Sequence, residues 1–206
     1  MIEVLEIFNS ISGEVNPWYQ GCMTTFVRLA GCNLDCDYCD TPHSRDLATL
    51  YNEDNFIDAI NGNYQKTGRI CITGGEPLLQ MKACELIMAN FQNVWIETNG
   101  TCDFTDLIGG VSLVTDYKLD EMRDIPTAFF KLKRTDFVKF VVGGTKDIGD
   151  AQKIQQAIQM NGCECNFAYS PMHELLDARI LLEYLLEHPL PNTIINVQMH
   201  KYLEMK

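Results

Sequence analysis

Three cysteines fall within eight residues: Cys32, Cys36 and Cys39, in the stretch "GCNLDCDYCDTPHS" at 31–44. A closed zinc site or an iron–sulfur cluster usually takes four protein ligands. A C-x3-C-x2-C loop supplies three, which suits a metal centre that keeps one position open for chemistry. His43, four residues after Cys39, offers the alternative of a closed Cys3His zinc site, although Pro42 restricts the chain just before it. Farther on, "TGGEP" at 73–77 joins two glycines to a carboxylate. Glycine lets backbone approach a ligand, and exposed carbonyls with Glu76 can accept hydrogen bonds from an ammonium group. Arg28 stands in an otherwise apolar run. A guanidinium there is costly unless paired, and its fork suits a carboxylate.

These residues need a frame that gathers them. Strand-like runs rich in β-branched and aromatic residues occur at 4–8, 25–30, 69–73, 94–98, 111–115, 137–142, 166–170 and 194–198. Helical patterns lie between them at 53–61, 78–91, 147–160 and 173–187, the last carrying Leu175, Leu176, Ile180, Leu182 and Leu186. The alternation predicts an α/β fold of about six βα units with parallel strands, curved into an open partial barrel. One domain over 1–206 is expected, with no linker or repeat. In such sheets chemistry sits at the C-terminal strand ends. The cysteine loop, "TGGEP", "ETNGT" (97–101), "TDYK" (115–118), "VGGTK" (142–146), "YSPM" (169–172) and "QMHK" (198–201) all follow strand candidates. Together they point to one ligand-lined rim.

Composition limits the partners. A net charge of −12 leaves no basic footprint for gripping nucleic acid by its phosphates. No apolar run is long enough to span a membrane, and the start "MIEVLEIFNS" lacks a signal-peptide pattern, so a cytoplasmic location is expected. The chain holds nine cysteines, an odd count at irregular spacing, which argues against a disulfide framework. Cys22, Cys71, Cys84, Cys102, Cys163 and Cys165 read mainly as small buried hydrophobes.

The cysteine spacing, with the aromatic Tyr38 before Cys39, resembles the signature of radical S-adenosylmethionine enzymes, and "TGGEP" resembles the segment of that family that receives the cofactor's amino group. In that family the cofactor binds the open iron, which would make it the fourth ligand. Within the family, "EIFNSISGE" (6–14), "FVRLAGCNLDCDYCDT" (26–41), "TGGEPLLQ" (73–80), "ETNGT" and "VQMHK" (197–201) are similar to the 7-carboxy-7-deazaguanine synthases. The resemblance implies a radical ring contraction of 6-carboxy-5,6,7,8-tetrahydropterin to 7-carboxy-7-deazaguanine, with release of ammonia.

It also implies residue roles. Cys32, Cys36 and Cys39 would hold a 4Fe-4S cluster and Thr41 a magnesium ion. Tyr38, Cys39, Asp40, Gly74, Gly75, Glu76, Glu97, Asn99, Asp116, Tyr117 and Lys118 would contact S-adenosylmethionine. Ile11, Ser12, Gly13, Glu14, Arg28, Thr73 and His200 would contact the pterin. Ser12, Val15 and the stretch Asp116–Tyr117–Lys118 depart from the family's usual glutamine, glycine and Ser-Pro-Lys. A homodimer, a flavodoxin-type reductant and no nucleic-acid or membrane partner are the further implications. Two other readings share parts of the pattern: a small glycyl-radical activating enzyme, and a non-enzymatic zinc or iron–sulfur module.

Overall fold

The computed structural model describes residues 1–36, 39, 41 and 48–204. Tyr38, Asp40 and His43 therefore lie outside the described residues. The chain forms two compact units. The first comprises Met1–Ile11 and Cys22–Thr98, the second Ser12–Gly21 and Asn99–Lys206.

In the first unit the strands run in the order β3 (Thr49–Tyr51), β1 (Ile2–Ile11), β2 (Met23–Leu29), β4 (Ile70–Gly74), β5 (Val94–Thr98). Strands β2, β4 and β5 are parallel. Ile70, Cys71, Ile72, Trp95 and Ile96 are all fully buried, the continuous apolar run of strands covered on both faces. Strand β1, beside the expected parallel set, is antiparallel to both its neighbours. Residues 12–22 join β1 to β2 without a crossover helix, and a parallel pair would need one. The register sets Glu6 opposite Arg28 and stacks Phe8 on Phe26 with ring centroids 5.2 Å apart.

Helix α1 (Glu53–Thr67) outruns its predicted end at residue 61. Asn52 caps it by accepting from the Asn55 amide, and Gly68 ends it in the left-handed conformation. Phe56 and Ile60 form its buried stripe. Helix α2 (Met81–Asn90) buries Ala83, Cys84 and Ile87. Leu79, predicted on that face, precedes the helix in a 3-10 turn (Pro77–Gln80) and is exposed.

The second unit holds β6 (Ser112–Asp116), β7 (Phe137–Val142), β8 (Asn166–Pro171) and β9 (Thr193–Ile195), parallel in that order. Its core is aromatic: Phe104, Tyr117, Phe129, Phe140, Phe167 and Tyr169 are buried and in mutual contact. Each such ring contributes roughly 1.5–3 kcal/mol by leaving water. Gln155, on α3 (Thr145–Met160), is buried but satisfied: it accepts from the Tyr169 hydroxyl at 2.7 Å and donates to the Pro191 carbonyl at 2.9 Å.

Helix α4 spans Ala178–Glu187, not 173–187. Glu174 has φ +66°, a conformation no helix residue adopts, and Asp177 caps the true start by accepting from the Arg179 amide. Leu181 alone is fully buried there, whereas Ile180, Leu182 and Leu186 are exposed. Strand β9 stops at Ile195, and residues 196–198 lead irregularly into the short α5 (Met199–Tyr202).

Candidate active site

In the first unit the candidate residues collect at the C-terminal ends of β2, β4 and β5. Strand β2 delivers Arg28 and then opens into the cysteine loop. Cys32 and Cys36 are half-buried and Cys39 is exposed. The Leu34 amide donates to the Cys32 sulfur at 3.5 Å, and the Cys39 amide donates to the Cys36 carbonyl at 3.1 Å. Among the described residues no three His, Cys, Asp or Glu side chains form a ready-made metal cage. Thiolates repel one another until a cation binds, so ligand convergence belongs with metal loading. The loop's accessible thiols and its N–H···S contact fit a thiolate-bound cluster, whose sulfurs accept such bonds.

The glycine pair is docked against this loop. The Gly75 amide donates to the Leu29 carbonyl at 3.1 Å, and the Glu76 amide donates to the Gly31 carbonyl at 2.8 Å. A Cβ on Gly75 would lie 2.0 Å from the Gly31 carbonyl oxygen and 2.9 Å from the Cys32 Cβ. Gly74 has φ +140°, and a Cβ there would meet the Leu29 oxygen at 2.0 Å. Only glycine permits this approach. The Glu76 carboxylate turns inward. It is fully buried and accepts from the Leu78 amide at 3.0 Å and the Thr98 hydroxyl at 2.8 Å. Thr73 donates to Glu97 at 3.2 Å.

Arg28 is held from two sides. Its Nε donates to Glu6 at 3.0 Å and its Nη1 to the Thr41 hydroxyl at 3.0 Å, with the guanidinium carbon 5.8 Å from the centre of the Phe8 ring. Sequence reasoning did not single out Glu6. The cross-strand register of β1 and β2 makes it the partner of Arg28, and that register is not written in either strand alone.

The second unit gathers a different set. Gly13 lies against α5: a Cβ would be 2.3 Å from the His200 Nδ1, and the Gly13 carbonyl accepts from the Met199 amide at 2.9 Å. Beside it, Glu14 accepts from the Lys139 ammonium at 2.7 Å, Gln198 at 2.8 Å and Asn196 at 3.2 Å. Burial pushes the Glu14 carboxyl up. The Lys139 charge and hydrogen bond, the Gln198 hydrogen bond and the His200 charge outweigh it and hold the pKa at about 2. Ser12 is buried, its hydroxyl accepting from Asn16 at 3.0 Å.

Asp116 ends β6. Its Oδ2 accepts from Lys118 at 2.9 Å and faces Lys139 at 3.3 Å. Burial pushes its carboxyl up, but the Lys139 and Lys118 ammonium groups outweigh that and hold it below the usual range. Its Oδ1 is buried and has no hydrogen-bond partner among the described residues. An orphaned acceptor of this kind suits a ligand hydroxyl, such as those of a ribose. Tyr117 points the other way, into the aromatic core against Phe129 and Phe140. Asn99 accepts from the Thr101 amide at 3.0 Å, closing a local turn.

Sequence reasoning also missed Lys139, Asn196 and Gln198. Lys139 interrupts the apolar run "FVKFVV" just as Arg28 interrupts its own strand, and the same desolvation argument would have flagged it.

The model of the Radical SAM superfamily matches residues 27–126. The 7-carboxy-7-deazaguanine synthase of Methanospirillum hungatei is 37% identical over 98% of this chain and 85% of its own length. That of Clostridium acetobutylicum is 32% identical over 98% of this chain and 95% of its own. The crystal structure of QueE from Escherichia coli superposes with a TM-score of 0.75, covering 97% of this chain and 94% of that one at 21% identity. The structural likeness shows the fold, in keeping with the α/β class read from the sequence.

Proposed function

The chain belongs to the 7-carboxy-7-deazaguanine synthase family of radical S-adenosylmethionine enzymes, and from that premise we propose how its own residues serve the reaction. The family assignment makes it an enzyme of deazapurine biosynthesis that works with a 4Fe-4S cluster and S-adenosylmethionine. Its reaction in our reading converts 6-carboxy-5,6,7,8-tetrahydropterin to 7-carboxy-7-deazaguanine and ammonia. When bound, the cluster and cofactor supply a radical able to take a hydrogen atom from carbon. The protein's work is then binding, orientation and charge.

Cys32, Cys36 and Cys39 hold the cluster, and Tyr38, Cys39 and Asp40 border the cofactor. The main chain of Gly74, Gly75 and Glu76 receives the cofactor's amino group. The inward Glu76 carboxylate holds that main chain in place by capping the turn at Leu78. Asp116 accepts from ribose hydroxyls through its orphaned Oδ1, with Lys118 steadying it and Tyr117 bracing the strand end from the core. Glu97 and Asn99 complete the cofactor contacts.

The substrate carboxylate docks on Arg28. At present one guanidinium N–H is spent on Thr41. The Thr41 hydroxyl, beside that guanidinium, would be the protein oxygen offered to a magnesium ion, a hard cation that takes oxygen ligands and would add positive charge where the substrate carboxylate docks. Glu14, an ionised and fixed acceptor, reads the N–H-rich edge of the pterin. Ile11, Ser12, Gly13, Thr73 and His200 supply the remaining substrate contacts. The whole chain acts as one catalytic domain, a cytoplasmic homodimer reduced by a flavodoxin-type protein.

The observation that carries this reading is Arg28. It is a guanidinium with low exposure, held at a strand end beside the cysteine loop, that a glycyl-radical activating enzyme or an electron-transfer module would have no use for. The test is anaerobic. Protein reconstituted with iron and sulfide receives S-adenosylmethionine, magnesium, reductant and the carboxylated pterin, and products are weighed. A mass for 7-carboxy-7-deazaguanine is expected. Cofactor cleavage with no such product would hand the site to a different radical reaction.

A further inference from the structure

We propose that Lys139 is a positioning residue for this reaction: it holds Glu14 and Asp116 on one ammonium, so that Glu14 meets the substrate as an oriented carboxylate. The inference rests on the reading that Glu14 faces the pterin. Lys139 is centred in β7, in register with Asp116 on β6. Its side chain is only 12% exposed. The ammonium lies 2.7 Å from Glu14 Oε2 and 3.3 Å from Asp116 Oδ2.

Neutral donors fix the rest of Glu14. Gln198 takes Oε1, and Asn196 donates to Oε2 while also donating to Ser170 at 2.6 Å and accepting from the Val15 amide at 2.9 Å. The charged groups facing Glu14 are Lys139 on β7, Asp116 on β6 with its partner Lys118, and His200 on α5. Lys139 is the ammonium that touches both carboxylates, and Asp116 and Glu14 each raise the cost of ionising the other. Without Lys139, Glu14 would keep its neutral donors and the more distant His200 but lose its ion pair. Burial and mutual repulsion would then both drive Glu14 to take up a proton. A protonated Glu14 would offer a weaker acceptor to an N–H edge. Cofactor binding at Asp116 and substrate binding at Glu14 also meet at the same ammonium.

Lys139→Met separates this role from simple structural support. In the reconstituted holoenzyme, kcat/KM for the pterin should fall at least tenfold at neutral pH, chiefly through KM. An acid limb absent from the wild type should enter between pH 5 and 8, while iron content stays at the wild-type level. Lys139→Arg should remove that limb again. If Lys139→Met does not accumulate, Lys139→Gln carries the same test. A profile with the wild-type shape in the charge-removing variant, alongside a Glu14→Gln enzyme that has lost activity, would overturn the role of Lys139 alone. A Glu14→Gln enzyme with wild-type kcat/KM would instead overturn the substrate reading beneath it.

Discussion

At the scale of single residues, the account stands on three thiols, one guanidinium and one hydroxyl. Cys32→Ala, Cys36→Ala and Cys39→Ala should each lose the brown cluster and all turnover, read by iron content and product. Arg28→Ala should keep its iron but raise KM for the pterin. Truncating one side of a buried charged pair typically costs about 2–5 kcal/mol, or roughly 30-fold and upward in apparent affinity. Thr41→Ala should lose the stimulation that magnesium gives the wild type; equal stimulation in both would remove Thr41 as a ligand. Glu14 makes a pH prediction. Its carboxyl is held at about 2 in the folded chain against 4.5 ordinarily. The stability it lends is therefore full above about pH 4.5 and drains away as pH falls toward 2. Urea midpoints of wild type should drop more steeply over that window than those of Glu14→Gln. Arg28 is legible in the sequence because a cation in an apolar strand demands a reason. Lys139 obeys the same rule and went unread. Glu76 is legible as a motif residue, but its inward turn is not, since a carboxylate can face a ligand or cap a turn with the same neighbours.

At the scale of elements, local chemistry decides what can be read. The strands at 69–73, 94–98 and 137–142 lie within a residue or so of their predictions, because β-branched runs between turn residues have few other options. Strand β3 has three residues and no such run, and the antiparallel setting of β1 is a matter of pairing rather than composition. The helix predicted from 173 fails at Glu174, where backbone conformation overrides a convincing leucine pattern. Asp177→Ala should accordingly cost about 1 kcal/mol in denaturant unfolding, as the loss of a helix cap does. The contact between "TGGEP" and the cysteine loop gives the sharper expectation. Gly75→Ala forces a methyl into the Gly31 carbonyl, so the loop must shift and cluster content should fall even though no ligand is touched.

At the scale of the whole molecule, the chain passes from one compact unit to the other three times, after Ile11, Gly21 and Thr98. Among the described residues no helix is long and apolar enough to cross a membrane. In the first unit the gathering of Arg28, the cysteine loop and "TGGEP" at strand ends is legible in the order of strands and polar turns, because α/β sheets place chemistry there. Which polar rim residues hold ligands and which hold each other is not. Ser12 and Asn99 each make a local hydrogen bond that nothing in their sequence neighbourhood announces, whatever ligand contact they also make.

The most direct test of the whole account counts two products in one anaerobic reaction. With carboxylated pterin and limiting S-adenosylmethionine, the proposed reaction regenerates the cofactor at each turnover, so 7-carboxy-7-deazaguanine should accumulate in excess over 5′-deoxyadenosine. Deoxyadenosine accumulating in step with cofactor loss, with no deazapurine formed, would contradict it.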